Sequence, residues 1–149
     1  MSQKYTIGRT DKADFPEFGL EEIDVKIDTG AYGCSIHCDH IEEIEENGVK
    51  RIHFQLLNPE HVQYNHKTFG TEHYTVKTVK SSTGVPEERF VIESKIRLFN
   101  QVFPIRMSLT NRGEMRYPVL LGRTLLNGNF IVDTAKTNLS YKHKTKHSQ

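Results

Sequence analysis

The chain has 149 residues, with 20 Lys and Arg against 19 Asp and Glu, so its formal net charge is +1. This length predicts a single domain over residues 1–149, and the balanced charge argues against nucleic acid as a partner. No apolar run approaches the roughly 18 residues of a membrane span, and the N-terminus has no apolar signal core. We therefore expect a cytoplasmic protein without a membrane partner.

Short runs rich in Val, Ile, Thr, Phe and Tyr dominate the first hundred or so residues and predict β-strands. "EEIDVKID" alternates, with Ile23, Val25 and Ile27 on one face. "VKRIHFQLL" is the next predicted strand, after a turn at Asn47-Gly48. "HYTVKTVK" and "ERFVIESKIRLF" flank "SSTGVPE", which predicts a hairpin with its tip near Gly84.

The rest of the chain continues with "QVFPIRMSLT", "YPVLLG" and "NFIVDT", so the predicted fold class is all-β. Two short helices are expected, one over residues 122–128, where Gly128 is the stop signal, and one near residues 35–40. Residues 136–149 are predicted to form a partly frayed basic tail, with a basic docking arm as the alternative.

Asp28-Thr29-Gly30-Ala31 follows the first of these strands. A sheet holds an aspartate at a strand end in a fixed position, and a glycine two residues later permits a tight turn. Thr29 can hydrogen-bond outward from that turn. The tripeptide Asp-Thr-Gly also occurs in ordinary strand-end turns, so its meaning depends on the rest of the chain.

The order of motifs along the chain gives the tripeptide a context. An apolar strand ending in Asp-Thr-Gly-Ala, a central hairpin and the segment "YPVLLGRTLL" occur in the order found in retropepsins, and the chain resembles that family of aspartic proteases. "VKIDTGAYGCSIHC", "FQLLNP", "VKSSTGVPEERFVI" and "RYPVLLGRTLLNGNFIVD" are similar to the bacterial RimB-like branch, known as ATP-dependent zinc proteases (DUF785) and associated with RimK-type ATP-grasp ligases. The similarity extends from about Ile7 to Tyr141 and implies a closed retropepsin-like β-barrel with one or two short helices.

The resemblance also implies an aspartic peptidase that works as a homodimer. The chain has one Asp-Thr-Gly, while a catalytic pair needs two, and a two-fold axis would bring both copies of Asp28 together. Two carboxylates about 3 Å apart share one proton, so the ionised one can activate a water that attacks the scissile carbonyl. No cofactor is required. "VDTA" at Asp133 lacks the glycine and is predicted to be an ordinary strand-end aspartate.

Further roles follow from the same resemblance. Thr29 is expected to hydrogen-bond across the dimer, and Gly30 to let the substrate backbone approach. The hairpin tip is expected to form a flap over the substrate. The residues expected to bind substrate are Ala31, His37, Ser82, Thr83, Gly84 and Arg123.

The sequence departs from the retropepsin pattern immediately after the motif. In viral retropepsins an acidic residue follows Asp-Thr-Gly-Ala and pairs with the arginine of the Gly-Arg motif, but here Tyr32 and Gly33 follow. The bacterial branch commonly has an arginine where Tyr32 stands. Arg123 is therefore expected either to form a structural ion pair elsewhere or to bind substrate.

Cys34, His37, Cys38 and His40 carry the side-chain chemistry of a zinc site. Structural zinc sites usually take ligand pairs from two separate segments, whereas these four residues lie close together in one. On a helix, residues 34, 37 and 38 would share one face. We predict no metal here, and the two cysteines are expected to be buried and reduced.

The first functional hypothesis is therefore a peptidase or amidase that hydrolyses peptide-type bonds. The family's association with ATP-grasp ligases suggests glutamate tails on a protein or peptide as substrate, and a functional link to such a ligase. Basic residues that could bind glutamate are Lys80, Arg89, Arg106 and Arg116. One alternative is a non-catalytic peptide-binding module, and another is a metal-dependent hydrolase using Cys34, His37 and Cys38.

Overall fold

The computed structural model describes residues 4–80, 84–111 and 116–147. Its strands are β1 (Tyr5–Ile7), β2 (Thr10–Phe15), β3 (Leu20–Ile27), β4 (Cys34–Glu46), β5 (Val49–Leu56), β6 (Phe69–Thr71), β7 (Thr75–Lys80), β8 (Pro86–Leu98), β9 (Gln101–Thr110), β10 (Val119–Leu121) and β11 (Phe130–Val132). The helices are α1 (Arg123–Leu126) and α2 (Leu139–His147), with a 3-10 helix at Pro16–Phe18 between β2 and β3. Among the helices of these residues, none is long and apolar enough to cross a membrane.

Six strands close into a ring in the order β10, β3, β2, β8, β9, β4 and back to β10. Pairing is antiparallel around the ring except for β10 with β3 and β4 with β9, which are parallel. Alternate residues of each strand face the interior, where Ile23, Val25, Ile36, Met107 and Leu121 are fully buried. The predicted all-β, retropepsin-like barrel is confirmed.

Local sequence signals account for two of the hairpins. Asn47 and Gly48 both have positive φ, 52° and 79°, which is the backbone that a two-residue turn needs to match the twist of β4 and β5. The hairpin predicted around Gly84 is also confirmed, because β7 pairs with β8 from Thr75 opposite Val91 to Lys80 opposite Pro86. Gly84 has φ +80°, and the neighbouring Ser82 and Thr83 lie outside the described residues.

The helix predicted near residues 35–40 is wrong, because this segment belongs to β4. Cys34, Ile36 and Cys38 alternate with Ser35 and His37 along the strand. The first three pack in the core, and the segment pairs with β9 on one side and β10 on the other. Backbone pairing on both sides of the strand outweighs any local helical tendency.

The tail predicted to be frayed contains a docked helix. In α2, the backbone N–H groups of Ser140 and Tyr141 donate to the carboxylate of Asp11 at 2.8 and 3.1 Å. Asp11 lies on β2 and is only 1% exposed, so it acts as an N-terminal cap supplied by a distant strand. Lys144 adds an ion pair to Asp14 at 3.1 Å. The sequence around α2 does not predict this helix, because the residues that cap and pair with it, Asp11 and Asp14, lie near the start of the chain.

Helix α2 also supports the turn between β8 and β9. Phe99 and Asn100 have positive φ, 55° and 59°, an uncommon backbone for a bulky residue such as phenylalanine. The Phe99 N–H donates to Ser140 Oγ at 2.8 Å, and its ring stacks on Tyr5 with centroids 4.8 Å apart. Contacts from α2 and β1 therefore hold Phe99 in a backbone conformation that phenylalanine rarely adopts.

We expect Asp11→Ala to lower the free energy of unfolding by about 1–3 kcal/mol, because two backbone N–H groups of α2, that of Ser140 buried, would lose their acceptor. Urea denaturation measures this change. Asp24→Ala is the matched control, since Asp24 makes a surface ion pair with Lys12 that is worth about 1 kcal/mol or less. Equal losses in the two variants would contradict the capping role.

Candidate functional site

The parallel pairing of β3 with β10 brings the two predicted motifs together. Val25 lies opposite Val119 and Ile27 opposite Leu121, so both strands end at the same edge of the sheet. Asp28 follows β3 there, and the Gly122-Arg123 pair follows β10. The Asp28 N–H continues the pairing by donating to the Leu121 carbonyl at 2.9 Å. Motifs separated by most of the chain thus form one site.

The Asp28 loop, residues 28–33, folds back on its own aspartate. The Gly30 N–H donates to Asp28 Oδ1 at 3.0 Å, and the Ala31 N–H donates to the Asp28 carbonyl at 3.2 Å. The carboxylate is half-buried, while Thr29 and Gly30 are exposed. The carboxylate is therefore held in orientation by one of its oxygens and remains accessible from solvent.

Helix α1 is attached directly to this loop. The Arg123 N–H donates to the Ala31 carbonyl and the Thr124 N–H to the Tyr32 carbonyl, each at 2.9 Å. A Cβ on Gly122 would lie 2.2 Å from the Gly33 carbonyl oxygen, so only glycine allows this approach. Beneath the contact, the Gly122 N–H donates to Cys34 Sγ at 3.3 Å.

Arg123 acts on the backbone of the loop. Its Nη1 donates to the Thr29 carbonyl at 2.9 Å, and its guanidinium carbon lies 5.9 Å from the Tyr32 ring centroid. Within the described ranges, no carboxylate lies at ion-pair distance from Arg123, so the expected structural ion pair is replaced by a carbonyl contact and a cation–π contact. Substrate binding by Arg123 stays a prediction.

Tyr32 links the loop to the β7–β8 hairpin. The ring is 65% exposed, and the Lys77 ammonium of β7 lies 5.7 Å from its centroid. Arg123 is also in contact with the Tyr32 ring. The departure from the retropepsin pattern therefore has a structural consequence, because Tyr32 contacts one cation from α1 and one from the hairpin. Sequence reasoning did not single out Lys77.

The remaining predicted residues are placed differently. His37 is 2% exposed, and its backbone N–H donates to the Pro118 carbonyl at 2.7 Å. It does not line the cavity beside the Asp28 loop, so its role in substrate binding stays a prediction. Gly84 lies at the exposed tip of the hairpin, and the other two flap residues, Ser82 and Thr83, are outside the described part of the chain.

The cysteines and histidines of β4 do not converge. Cys34 and Cys38 face the core, whereas His37 lies on the other face of the strand. Burial raises the pKa of Cys34, and it raises the pKa of Cys38 to about 12, so both thiols stay protonated near neutral pH. In the ranges that the structure describes, no three His, Cys, Asp or Glu side chains are grouped to hold a metal ion.

A cavity of about 380 Å³ lies between the Asp28 loop and the hairpin. Tyr32 and Gly33 line it from the loop, Thr75 and Lys77 from β7, and Arg106 from β9. The Arg106 Nη2 donates to Thr75 Oγ1 at 3.1 Å, which joins β9 to the hairpin. The aspartate loop, the hairpin and a positively charged cavity therefore form one continuous site.

We expect Gly122→Ala to lower the free energy of unfolding by about 1–3 kcal/mol, because its methyl group would collide with backbone carbonyls of the Asp28 loop. Thermal or urea unfolding measures the loss. Gly33→Ala is the control in the same contact, since a Cβ there meets nothing within 4 Å, and its cost should stay near 0.5 kcal/mol. A neutral Gly122→Ala would show that the loop can move away from α1.

The burial of His37 predicts a pH dependence of stability. Burial lowers its pKa from the ordinary 6.5, while the charge of Asp39 opposes the shift, and both ring nitrogens lack partners among the described residues. Below about pH 6.5 the unfolded chain binds a proton on His37 more readily than the folded chain does. The free energy of unfolding therefore decreases as the pH is lowered. His37→Gln should flatten urea-derived stabilities between pH 6.5 and 5.

Two other histidines serve as comparisons for this measurement. His61 also has a pKa lowered by burial, so His61→Gln should remove a further part of the slope. His66 is exposed, and His66→Gln should leave the slope unchanged. A wild-type slope that persists in His37→Gln would contradict the assignment to His37.

Proteins of known structure and sequence resemble the chain over nearly its whole length. A crystal structure of a protein of unknown function (DUF785) from Legionella pneumophila superposes with a TM-score of 0.73, at 31% identity over 93% of this chain and 99% of that one. Proteins named "Probable alpha-L-glutamate ligase" match from Shewanella pealeana, 33% identical, and Desulfotalea psychrophila, 32% identical. These matches cover 90% and 91% of this chain but 29% and 30% of the relatives, so the chain spans less than a third of their length.

The family model described as "Retropepsin-like aspartic endopeptidase RimB" matches residues 6–143. This range contains the Asp28 loop, the hairpin and the Gly122-Arg123 pair, which are the segments that carried the resemblance in the sequence. The chain belongs to the RimB-like family of retropepsin-like proteins.

Proposed function

We propose that the protein is an aspartic peptidase or amidase in which Asp28 from two chains activates a water for hydrolysis of a peptide-type bond. The observation that carries the proposal is the Asp28 carboxylate, oriented by the Gly30 N–H at 3.0 Å and accessible at the sheet edge. Membership of a family described as aspartic endopeptidases supports the same reaction.

The reaction needs two carboxylates with different protonation states. When two copies of Asp28 meet on a two-fold axis, repulsion between them keeps one protonated. The ionised carboxylate takes a proton from water, the resulting nucleophile attacks the carbonyl carbon, and the protonated carboxylate stabilises the developing oxyanion. Proton transfer to the leaving nitrogen then breaks the C–N bond, without a covalent intermediate or a metal.

The proposed homodimer gives a reason for the solvent exposure of two residues of the Asp28 loop. Thr29 and Gly30 are exposed in the single chain, although Ile27 before the loop and Cys34 after it are buried. In a dimer, Thr29 would hydrogen-bond across the axis and cover this surface. The β7–β8 hairpin would close over the substrate and exclude water.

Glutamate tails are the proposed substrate class. Two relatives that contain a segment like this chain bear the name alpha-L-glutamate ligase, and a ligase of that kind makes the amide bonds that a peptidase would hydrolyse. The proposed partners are therefore a glutamylated protein or peptide and, functionally, an ATP-grasp ligase. This pairing would place the protein in the cytoplasm, where ATP-dependent ligation occurs.

We expect Asp28→Asn to lower hydrolysis of a tetra-α-glutamate peptide by about 10²–10⁴-fold, because the amide cannot accept the proton of water. Cleavage is measured by chromatography of the products across pH 4–8. Asp133→Asn is the matched control. Asp133 lies after β11, where its Oδ1 accepts the Ala135 N–H at 3.0 Å, and its variant should cleave normally.

The same assay separates the alternatives. Activity should survive a chelator, and loss of activity with chelator would favour a metal-dependent hydrolase. If neither wild type nor Asp28→Asn cleaves but both bind peptide equally, the protein is a peptide-binding module of this fold.

A further inference from the structure

We propose that the cavity between the Asp28 loop and the β7–β8 hairpin is a subsite for an acidic side chain, with Lys77 and Arg106 as its specificity-determining residues. The inference rests on the proposed function, because it places this subsite beside the loop that carries the reacting aspartate. It concerns which residue of a peptide is recognised, and it can be tested by binding as well as by cleavage.

The position of the cavity connects it to the reaction. Tyr32 and Gly33 belong to the Asp28 loop, and Thr124 is held to that loop by its N–H contact with the Tyr32 carbonyl. The opposite wall is β7, the first strand of the hairpin, which contributes Thr75 and Lys77. A peptide lying between Asp28 and the hairpin would therefore place a side chain in this space.

The charge of the cavity favours an anion. Its described lining contains two cations, Lys77 and Arg106, and no carboxylate, with hydroxyl groups from Thr75, Ser108 and Thr124 around them. A neighbouring cavity of about 720 Å³ shares Arg106 and Thr75 with the first, but its lining also contains three carboxylates, Glu17, Glu72 and Glu93. A glutamate side chain would be attracted to the first cavity and repelled by the second.

Arg106 is positioned for this role by the sheet. It lies on β9 opposite Glu93 of β8, and in the described part of the chain no carboxylate comes within the 4.0 Å of an ion pair with it. One guanidinium nitrogen, Nη2, donates to Thr75 Oγ1 at 3.1 Å. That contact orients the planar group and leaves other N–H donors for a carboxylate, which an arginine can bind through two parallel hydrogen bonds.

Lys77 approaches the same cavity from the hairpin. Its ammonium lies 5.7 Å from the Tyr32 ring centroid, so the aromatic ring holds it near the Asp28 loop. A cation–π contact occupies one side of an ammonium group, and its remaining N–H groups are available to a second carboxylate oxygen. Lys77 would then couple the binding of an acidic side chain to the position of the hairpin.

Binding without cleavage provides the first test. Fluorescein-labelled tetra-α-glutamate and tetra-α-glutamine peptides are titrated with full-length Asp28→Asn protein and followed by fluorescence anisotropy. We expect the glutamate peptide to bind at least tenfold more tightly than the glutamine peptide, because a hydrogen bond to a charged group contributes about that factor in affinity. Adding Arg106→Gln or Lys77→Gln should reduce that preference about tenfold, the loss of one hydrogen-bonded charge, and leave affinity for the glutamine peptide nearly unchanged.

Arg97→Gln is the matched control, because Arg97 is an exposed arginine on β8 that lines neither this cavity nor the acidic one. It removes the same charge and should keep the preference for glutamate. Arg106 and Lys77 are exposed, so unfolding temperatures should match those of the parent protein. A glutamate preference that persists in both cavity variants, or a parent protein without one, overturns the proposal.

Cleavage by the protein with intact Asp28 separates this inference from the proposed function. If Arg106→Gln lowers kcat/KM for the glutamate peptide but not for the glutamine peptide, both are supported. If the wild type cleaves neither peptide while the binding preference and its loss in Arg106→Gln remain, the peptidase proposal fails and the acidic subsite stands. If cleavage depends on Asp28 but the cavity variants keep the glutamate preference, the peptidase proposal stands and the acidic subsite is rejected.

Discussion

The parallel pairing of β3 with β10 brings the two sequence motifs of the site together. Because parallel strands have their carboxyl ends at the same edge, Asp28 and the Gly122-Arg123 pair leave the sheet side by side. Because Gly122 has no side chain, α1 can approach the backbone of the Asp28 loop. Arg123 then donates a hydrogen bond to the Thr29 carbonyl of that loop. The aspartate is held by backbone geometry, and its orientation does not require a charged neighbour.

The local parts of this arrangement could be predicted from the sequence and the nonlocal parts could not. Alternation in "EEIDVKID", the Asn47-Gly48 turn and the hairpin near Gly84 are encoded by adjacent residues, and each has the predicted structure. Segment 35–40 was misassigned because its strand character comes from pairing with β9 and β10. Helix α2 was missed because its cap, Asp11, is on another strand. The site residue Lys77 was missed because only the folded hairpin places it against Tyr32.

Family membership and the individual chain contribute different information about the site. The family match accounts for the retropepsin-like barrel, and its range includes the Asp28 loop. The charges around that loop belong to this chain, in which Tyr32 contacts Arg123 and Lys77. Among the described residues, neither of these cations has a carboxylate at ion-pair distance. The loop region is consequently more positive than the near-neutral composition of the chain suggests.

The distance along the chain between the two halves of the site has a consequence for folding. Arg123 and the Thr29 carbonyl that it contacts are separated by 94 residues, so closing this contact requires a long loop to become ordered first. During synthesis the Asp28 loop leaves the ribosome long before β10 and α1 are available to hold it. An incomplete chain would carry Asp28 without the contacts that hold its loop, so the geometry of the site would assemble only after nearly all of the barrel had been synthesised.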